Sequence, residues 1–206
     1  MKQIDWTCER FCENLASDAP SPGGGGAAAL CGSFSLALGR MVSALSVNKK
    51  SCAEHRGEIE DISNRLEELR LRLLVLVDED ERGFLPLAEA WGMDKSNPER
   101  ESRVESALVT ACEAPLAMLK ALSQGEKLLR SLARICAPVM ISDAGAGAAL
   151  CAGALRAAAL NVYVNAGMMK NREKAKELVR QAEELMTAAN LADETFLYVR
   201  NRLKKD

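Results

Sequence analysis

The residues best suited to chemistry sit where two apolar segments begin. Pro20-Ser21-Pro22-Gly23-Gly24-Gly25-Gly26 opens the first. Its prolines fix the approach of the chain, and its glycines leave backbone N–H groups uncovered at a helix start, a positive pole suited to carboxylate or phosphate. The run reads equally well as a plain loop leading into a helix. It is not a Walker loop, because no Gly-Lys-Ser/Thr follows, and neither it nor Gly145-Ala146-Gly147 follows a strand as a dinucleotide fingerprint must. Ser142-Asp143-Ala144-Gly145 opens the second segment. Ser142 or Asp143 can cap the helix that follows, worth about 1 kcal/mol, and capping is the plainer reading of that stretch taken alone.

Asp80 is harder to assign to structure only. It stands at helical spacing from Leu73, Leu76, Val77 and Phe84, so it projects from the apolar stripe of its helix, where a carboxylate needs a partner or a task. Asp78, Glu79 and Glu81 are expected to face solvent. Asn161 and Asn165 are four residues apart, so one helical face carries two amides that either read a ligand's polar edge or join helices together. Lys49 follows the first apolar segment. It can hold a carboxylate tail or donate to a reacting nitrogen, although an exposed lysine at a helix end is the commoner case.

The elements that must position these residues are helices. Strand-type alternation is absent, aromatics make up 4% of the chain, and Ala, Leu, Glu, Lys and Arg dominate the periodic stretches. The pattern predicts helices over about residues 3–16, 27–47, 51–91, 98–137 (bent or restarted at Pro115), 142–169 and 171–204. The segments 27–47 and 142–169 are apolar on nearly every face and rich in Ala, Gly and Ser, so they belong inside the protein. The expected architecture is an all-α bundle in which amphipathic helices wrap two buried, small-residue-rich ones, forming one domain over residues 1–206. Small residues also suit a subunit contact, and a homodimer is expected, with a site that borrows from both chains. A membrane-spanning reading of the apolar segments is rejected, because Arg40, Arg156, Asn161 and Asn165 would be costly in lipid and no aromatic belt flanks either one.

Composition excludes several classes of function. Net charge is −2 with charges spread along the chain, so no basic face exists for nucleic acid. The N-terminus lacks the features of a secretory signal, which predicts a cytoplasmic protein. Seven cysteines, no CxxC pair and a single histidine, His55, argue for reduced thiols and no metal. Cys8 and Cys12 share a helical face, where core filling is preferred over a redox or metal pair.

Residues 15–50, LASDAPSPGGGGAAALCGSFSLALGRMVSALSVNKK, and residues 141–165, ISDAGAGAALCAGALRAAALNVYVN, together resemble the two signature regions of the formiminotetrahydrofolate cyclodeaminase/methenyltetrahydrofolate cyclohydrolase family, in order and spacing. Asp80-Glu81-Arg82-Gly83-Phe84 is similar to that family's Asp-x-x-Ala-Phe/Tyr segment and Ala114-Pro115-Leu116 to its Val-Pro-Leu, so the resemblance covers essentially the whole chain. Two departures stand out. Asn48 replaces the glycine of the family's Thr-x-Gly-Lys-Lys, and Ser51-Cys52 stands where an aromatic is common. The four glycines and residues 155–165 look closer to stand-alone bacterial cyclohydrolases, and the lack of an attached formiminotransferase domain leans the same way.

The resemblance implies an all-helical homodimer that binds folate and uses no metal or redox cofactor beyond its tetrahydrofolate substrate. In the cyclohydrolase reading, water adds to the cationic carbon bridging N5 and N10 of 5,10-methenyltetrahydrofolate, and opening at N5 leaves 10-formyltetrahydrofolate. Asp143 or Asp80 would be the base and Lys49 the proton donor or anion anchor. Pro22 and the loop Gly23, Gly24, Gly25 and Gly26, with Ser142, would hold glutamate carboxylates or a developing oxyanion, and Asn161 and Asn165 would read the pterin. Two alternatives are a formiminotetrahydrofolate cyclodeaminase, which releases ammonia from much the same pocket, and a non-catalytic folate-binding helical protein.

Overall fold

The computed structural model describes residues 2–204. They form eight α-helices and no strand: α1 (Cys8–Leu15), α2 (Gly24–Ser46), α3 (Arg56–Gly92), α4 (Arg100–Thr110), α5 (Glu113–Ile135), α6 (Ile141–Met168), α7 (Arg172–Met186) and α8 (Ala188–Leu203). Short 3-10 turns occupy Gln3–Asp5, Lys50–His55 and Pro138–Met140.

The helix boundaries follow local chemistry. The first expected helix is split: a 3-10 turn ends at Trp6, and α1 starts only where the Thr7 hydroxyl accepts the Arg10 N–H at 3.1 Å. α2 begins inside the glycine run, at Gly24, with no side chain of its own capping it. Pro115 lies in the first turn of α5, where the missing N–H costs nothing, so the chain restarts there and does not bend. Pro86 sits inside α3, at a solvent-exposed position. The single closing helix expected over 171–204 is two: Asn190 N–H reaches back to the Thr187 carbonyl in a 3-10 pattern while the Thr187 hydroxyl donates to Glu184, interrupting the α-helical ladder.

α2 and α6 form the centre and run antiparallel. Gly24 lies beside Asn161, the Cys31 thiol 3.7 Å from the Leu150 carbonyl, the Ser35 hydroxyl 2.8 Å from the Gly147 carbonyl, and the Ser46 hydroxyl 3.0 Å from the Ala137 N–H. α3 packs on α2, α5 on both α3 and α6, and α8 on α6. The close approach of α5 to α2 depends on glycine: a β-carbon at Gly32 or Gly39 would stand 2.6 Å or 2.5 Å from Leu122 or Leu129. Of the periodic stripe Ile59, Ile62, Leu66, Leu69, Leu73, Leu76 and Val77 of α3, all are buried except Leu69, which is half-buried.

Two expectations need correcting. The small-residue helices are not wrapped on all sides: Phe34, Met41 and Leu45 of α2 and Leu150, Leu160, Val164 and Met168 of α6 are exposed, as are Ala146, Ala149 and Gly153 of α6. Both helices are long and apolar enough to cross a membrane, and half of each is buried against the rest of the protein. Cys8 and Cys12 are not core residues, because the face of α1 that carries them points to solvent. All seven cysteines are free; Cys52, Cys112 and Cys151 fill the core, and burial pushes the Cys112 thiol up to about 11, leaving it protonated and inert at neutral pH.

Candidate active site

Asp80 sits on α3 where that helix meets the start of α2. The first N–H groups of a helix have no partner within it, and here the Gly26 N–H donates toward the Asp80 carboxylate. Gly25 lies so near that a β-carbon there would collide with both carboxylate oxygens. The loop is held from its other side by the N-terminal turn, whose Gln3 side chain donates to the Ser21 hydroxyl at 2.7 Å while its own N–H donates to Asp78 at 2.9 Å. Pro22 is buried against Gly26, and the Ser21–Pro22 peptide is cis. Burial pushes the Asp80 carboxyl up to about 6; the Gly26 N–H pulls the other way and does not compensate.

Asp80 opens into a cleft of about 240 Å³ between α3, α6 and the glycine loop. Its polar lining comprises Ser21, the backbone of Gly23 to Gly25, Asp80, Glu81, Asn161 and Asn165, and its apolar walls Phe84, Trp91, Val164 and Met168. The two asparagines are already committed as donors: Asn161 Nδ2 donates to the Ala157 carbonyl at 2.9 Å, and Asn165 Nδ2 to the Ala111 carbonyl at 3.1 Å. A carbonyl can accept only from the amide nitrogen, so both Oδ1 atoms remain acceptors. Two carboxylates and two amide oxygens make this a cleft for a cationic, N–H-rich ligand, with helix-start N–H groups at one edge for an oxygen anion.

The candidate residues from the sequence divide into two groups. Asp80, Gly23, Gly24, Gly25, Asn161 and Asn165 meet in the cleft, with Pro22 and Gly26 directly behind it. Asp143, Ser142 and Lys49 do not join them within the chain. Asp143 precedes Asn161 by eighteen residues on one continuous helix, about 27 Å along its axis, and exposed Lys49 follows the far end of α2. The expectation that the starts of the two central helices form one pocket is therefore corrected within one chain: antiparallel packing puts those starts at opposite ends.

Glu81, expected in solvent, borders the cleft, and Asp78 and Glu79 are half-buried and partnered by Gln3 and Arg72. Trp91 was not singled out from the sequence, although its spacing of eleven residues from Asp80, three helical turns, placed it on the same side of α3. A second groove of about 340 Å³ between α5 and α8 contains the Arg130–Glu194 pair and Tyr198 under the Arg134 guanidinium, and none of the candidate residues. Among the described residues, no three His, Cys, Asp or Glu side chains converge as metal ligands would.

The formiminotransferase-cyclodeaminase family matches residues 7–184. The chain is 35% identical over 192 residues to a methenyltetrahydrofolate cyclohydrolase of Methylorubrum extorquens, covering 91% of this chain and 92% of that one. It is 31% identical over 159 residues to the formimidoyltransferase-cyclodeaminase of Gallus gallus, covering 75% of this chain and 29% of that longer protein. Its fold matches the crystal structure of formiminotetrahydrofolate cyclodeaminase from Thermotoga maritima with a TM-score of 0.85 at 25% identity, over 97% of this chain and 96% of the other. The family match spans most of the chain, and the chain belongs to the formiminotransferase-cyclodeaminase family.

Proposed function

We propose that this protein is a cytoplasmic enzyme that hydrolyses 5,10-methenyltetrahydrofolate to 10-formyltetrahydrofolate, with Asp80 as the proton-transfer group and no cofactor beyond the folate itself. The observation that carries the reading is a cleft lined by acceptors around one half-buried carboxylate whose affinity for protons lies close to neutrality. Similarity over nearly the whole length to a protein named for this hydrolysis supports it against the deaminase.

The substrate's reacting carbon is an amidinium. Ionised Asp80 stabilises that charge and accepts a proton from the attacking water as the carbon–oxygen bond forms, giving a neutral tetrahedral adduct. Asp80 then returns the proton to N5 as the N5–carbon bond breaks, and the adduct's hydroxyl proton passes to solvent as the formyl carbonyl forms. One water is consumed and one proton released. A carboxyl near pH 6 suits both halves, being ionised at neutral pH yet basic enough to take the proton. Gly24 and Gly25 N–H groups would face the adduct's oxygen, and the oxygens of Asn161 and Asn165 would accept from the pterin's N–H edge.

The exposed Phe34, Met41 and Leu45 of α2 and Leu150 and Leu160 of α6 support a homodimer that buries them, with Val164 and Met168 left to the cleft. An antiparallel two-fold arrangement would lay the Lys49 and Asp143 end of each chain over the cleft of the other, and in it the partner subunit's Lys49 anchors the folate's carboxylates. The deaminase reading has support in the Thermotoga and Gallus relatives. Assaying purified protein on both substrates decides between them: loss of methenyl absorbance above the uncatalysed rate is expected. Ammonia release from formiminotetrahydrofolate, without methenyl hydrolysis, would assign the deaminase, and tight folate binding with neither reaction would assign a binding protein.

A further inference from the structure

Two tryptophans occur in the chain, and their surroundings differ. Trp6 stands 6.5 Å from Phe11 and has the Arg10 guanidinium 4.8 Å above its ring. Tyr198 is likewise flanked by Arg134 and Arg202. Trp91 lines the cleft, is 41% exposed, and has no arginine or lysine over its ring among the described residues. Its indole is therefore free to receive a flat ring lying in the cleft.

Phe84 borders it. Phe84 meets Trp91 nearly edge-on, with ring centroids 6.1 Å apart and planes at 73°. Asp80, Phe84 and Trp91 fall at offsets of four and eleven on one side of α3. The cleft therefore runs as a trough along α3, from Asp80 and the glycine loop, past Asn165, to Trp91 and Met168. Eleven residues of helix span about 16 Å between α-carbons. Both side chains lean toward the helix N-terminus, and the longer indole reaches further back along the trough than the carboxylate does. A fused bicycle with a one-carbon bridge is short enough to lie along that trough, and the rest of a folate extends out of it.

We infer that Trp91 is the stacking platform for the substrate's pterin ring, clamped by Phe84, so that the bicycle lies along the trough with its N–H edge at Asn165 and the bridging carbon at Asp80. The p-aminobenzoylglutamate part then leaves past the glycine loop. Trp91 sets affinity and orientation and takes no part in proton transfer. The inference rests on the folate reading above and adds which part of the folate enters first and what holds it.

The test uses full-length protein in which Trp6→Phe makes Trp91 the only tryptophan. A reduced pterin lacking p-aminobenzoylglutamate is expected to change Trp91 emission saturably, and p-aminobenzoylglutamate alone is not. Trp91→Ala should raise KM for 5,10-methenyltetrahydrofolate roughly three- to ten-fold with a smaller change in kcat, and Trp91→Phe should recover part of the loss. Emission that responds to p-aminobenzoylglutamate and not to the pterin would overturn the inference, as would a wild-type KM in Trp91→Ala with unchanged circular dichroism. Those outcomes leave the proposed reaction standing when the wild type still hydrolyses substrate; absence of wild-type turnover on either substrate counts against the reaction itself.

Discussion

The start of α2 and the Asp80 carboxylate meet at Gly25, where a side chain of any size would collide with both oxygens. Two helices that are distant in sequence thus dock through bare backbone at the one carboxylate of the α3 apolar stripe. The same contact holds the loop and buries the acid.

Substitution along the glycine run should be graded. Gly25→Ala must displace Asp80, and a loss of at least about 100-fold in kcat/KM is expected from misplacement alone. Gly24→Ala meets only the Asn161 amide, at 3.7 Å, and should cost less, while Gly23→Ala has nothing within 4 Å and should be near wild type. Steady-state kinetics with circular dichroism checks the order. Equal activity in the Gly25 and Gly23 variants would show that the contact has no catalytic consequence.

The pH dependence follows from burial. The Asp80 carboxyl is raised to about 6, so the base form is lost below that value and fully present well above it. Accordingly, kcat/KM should rise with pH through about 6 and level off toward 8, and a variant lacking the carboxyl should not show that limb. A profile flat from pH 5 to 8 in the wild type would remove Asp80 from the proton transfer.

Glu126 offers a test of stability away from the cleft. It is wholly buried, and Thr195 Oγ1 lies 2.8 Å from its Oε1 and 2.9 Å from the Leu191 carbonyl. Burial pushes its carboxyl up to about 7, against the pull of Thr195 and Arg130. A raised acid favours the fold fully below its unfolded value, and that contribution is lost as pH rises through the folded value. The wild type should therefore lose stability between about pH 4.5 and 7 and level off above. Glu126→Gln should flatten that slope and gain up to about 3 kcal/mol at pH 8. Chemical denaturation across this range checks it; parallel wild-type and variant curves would contradict it.

Much of this was legible in the sequence, and the reasons are specific. Helical periodicity gave the all-α class and put Asp80 on a buried stripe, because both depend on spacing within one helix. The break at Thr187 was hidden, since its dihedrals stay near-helical and it is marked by one side-chain hydrogen bond and one 3-10 backbone bond, with no proline or glycine. Asp143 and Lys49 were grouped with the glycine loop because each borders a central helix, but periodicity carries no information on whether two helices run parallel or antiparallel. Trp91 was passed over as a residue at a helix end, although its offset from Asp80 and Phe84 was readable. Cys8 and Cys12 share a face as expected, yet nothing local revealed that this face is the exposed one.

The apolar stripes predict the state of assembly. Phe34 is 50% exposed at the middle of α2, and wild-type protein should be a dimer by light scattering, while Phe34→Glu should shift it toward monomer with helical content retained. If the antiparallel arrangement holds, Lys49→Met should raise KM in the dimer and leave the pH limb in place. A monomeric wild type of full activity would dissolve the role given to the partner subunit's Lys49.

The most direct measurement is single-turnover hydrolysis of 5,10-methenyltetrahydrofolate by wild type, Asp80→Asn and Asp143→Asn, each shown to be folded. Asp80→Asn should fall by about 100-fold or more, the scale of a lost acid–base group, and Asp143→Asn should change much less. Near-wild-type turnover in Asp80→Asn would contradict the proton-transfer role of Asp80.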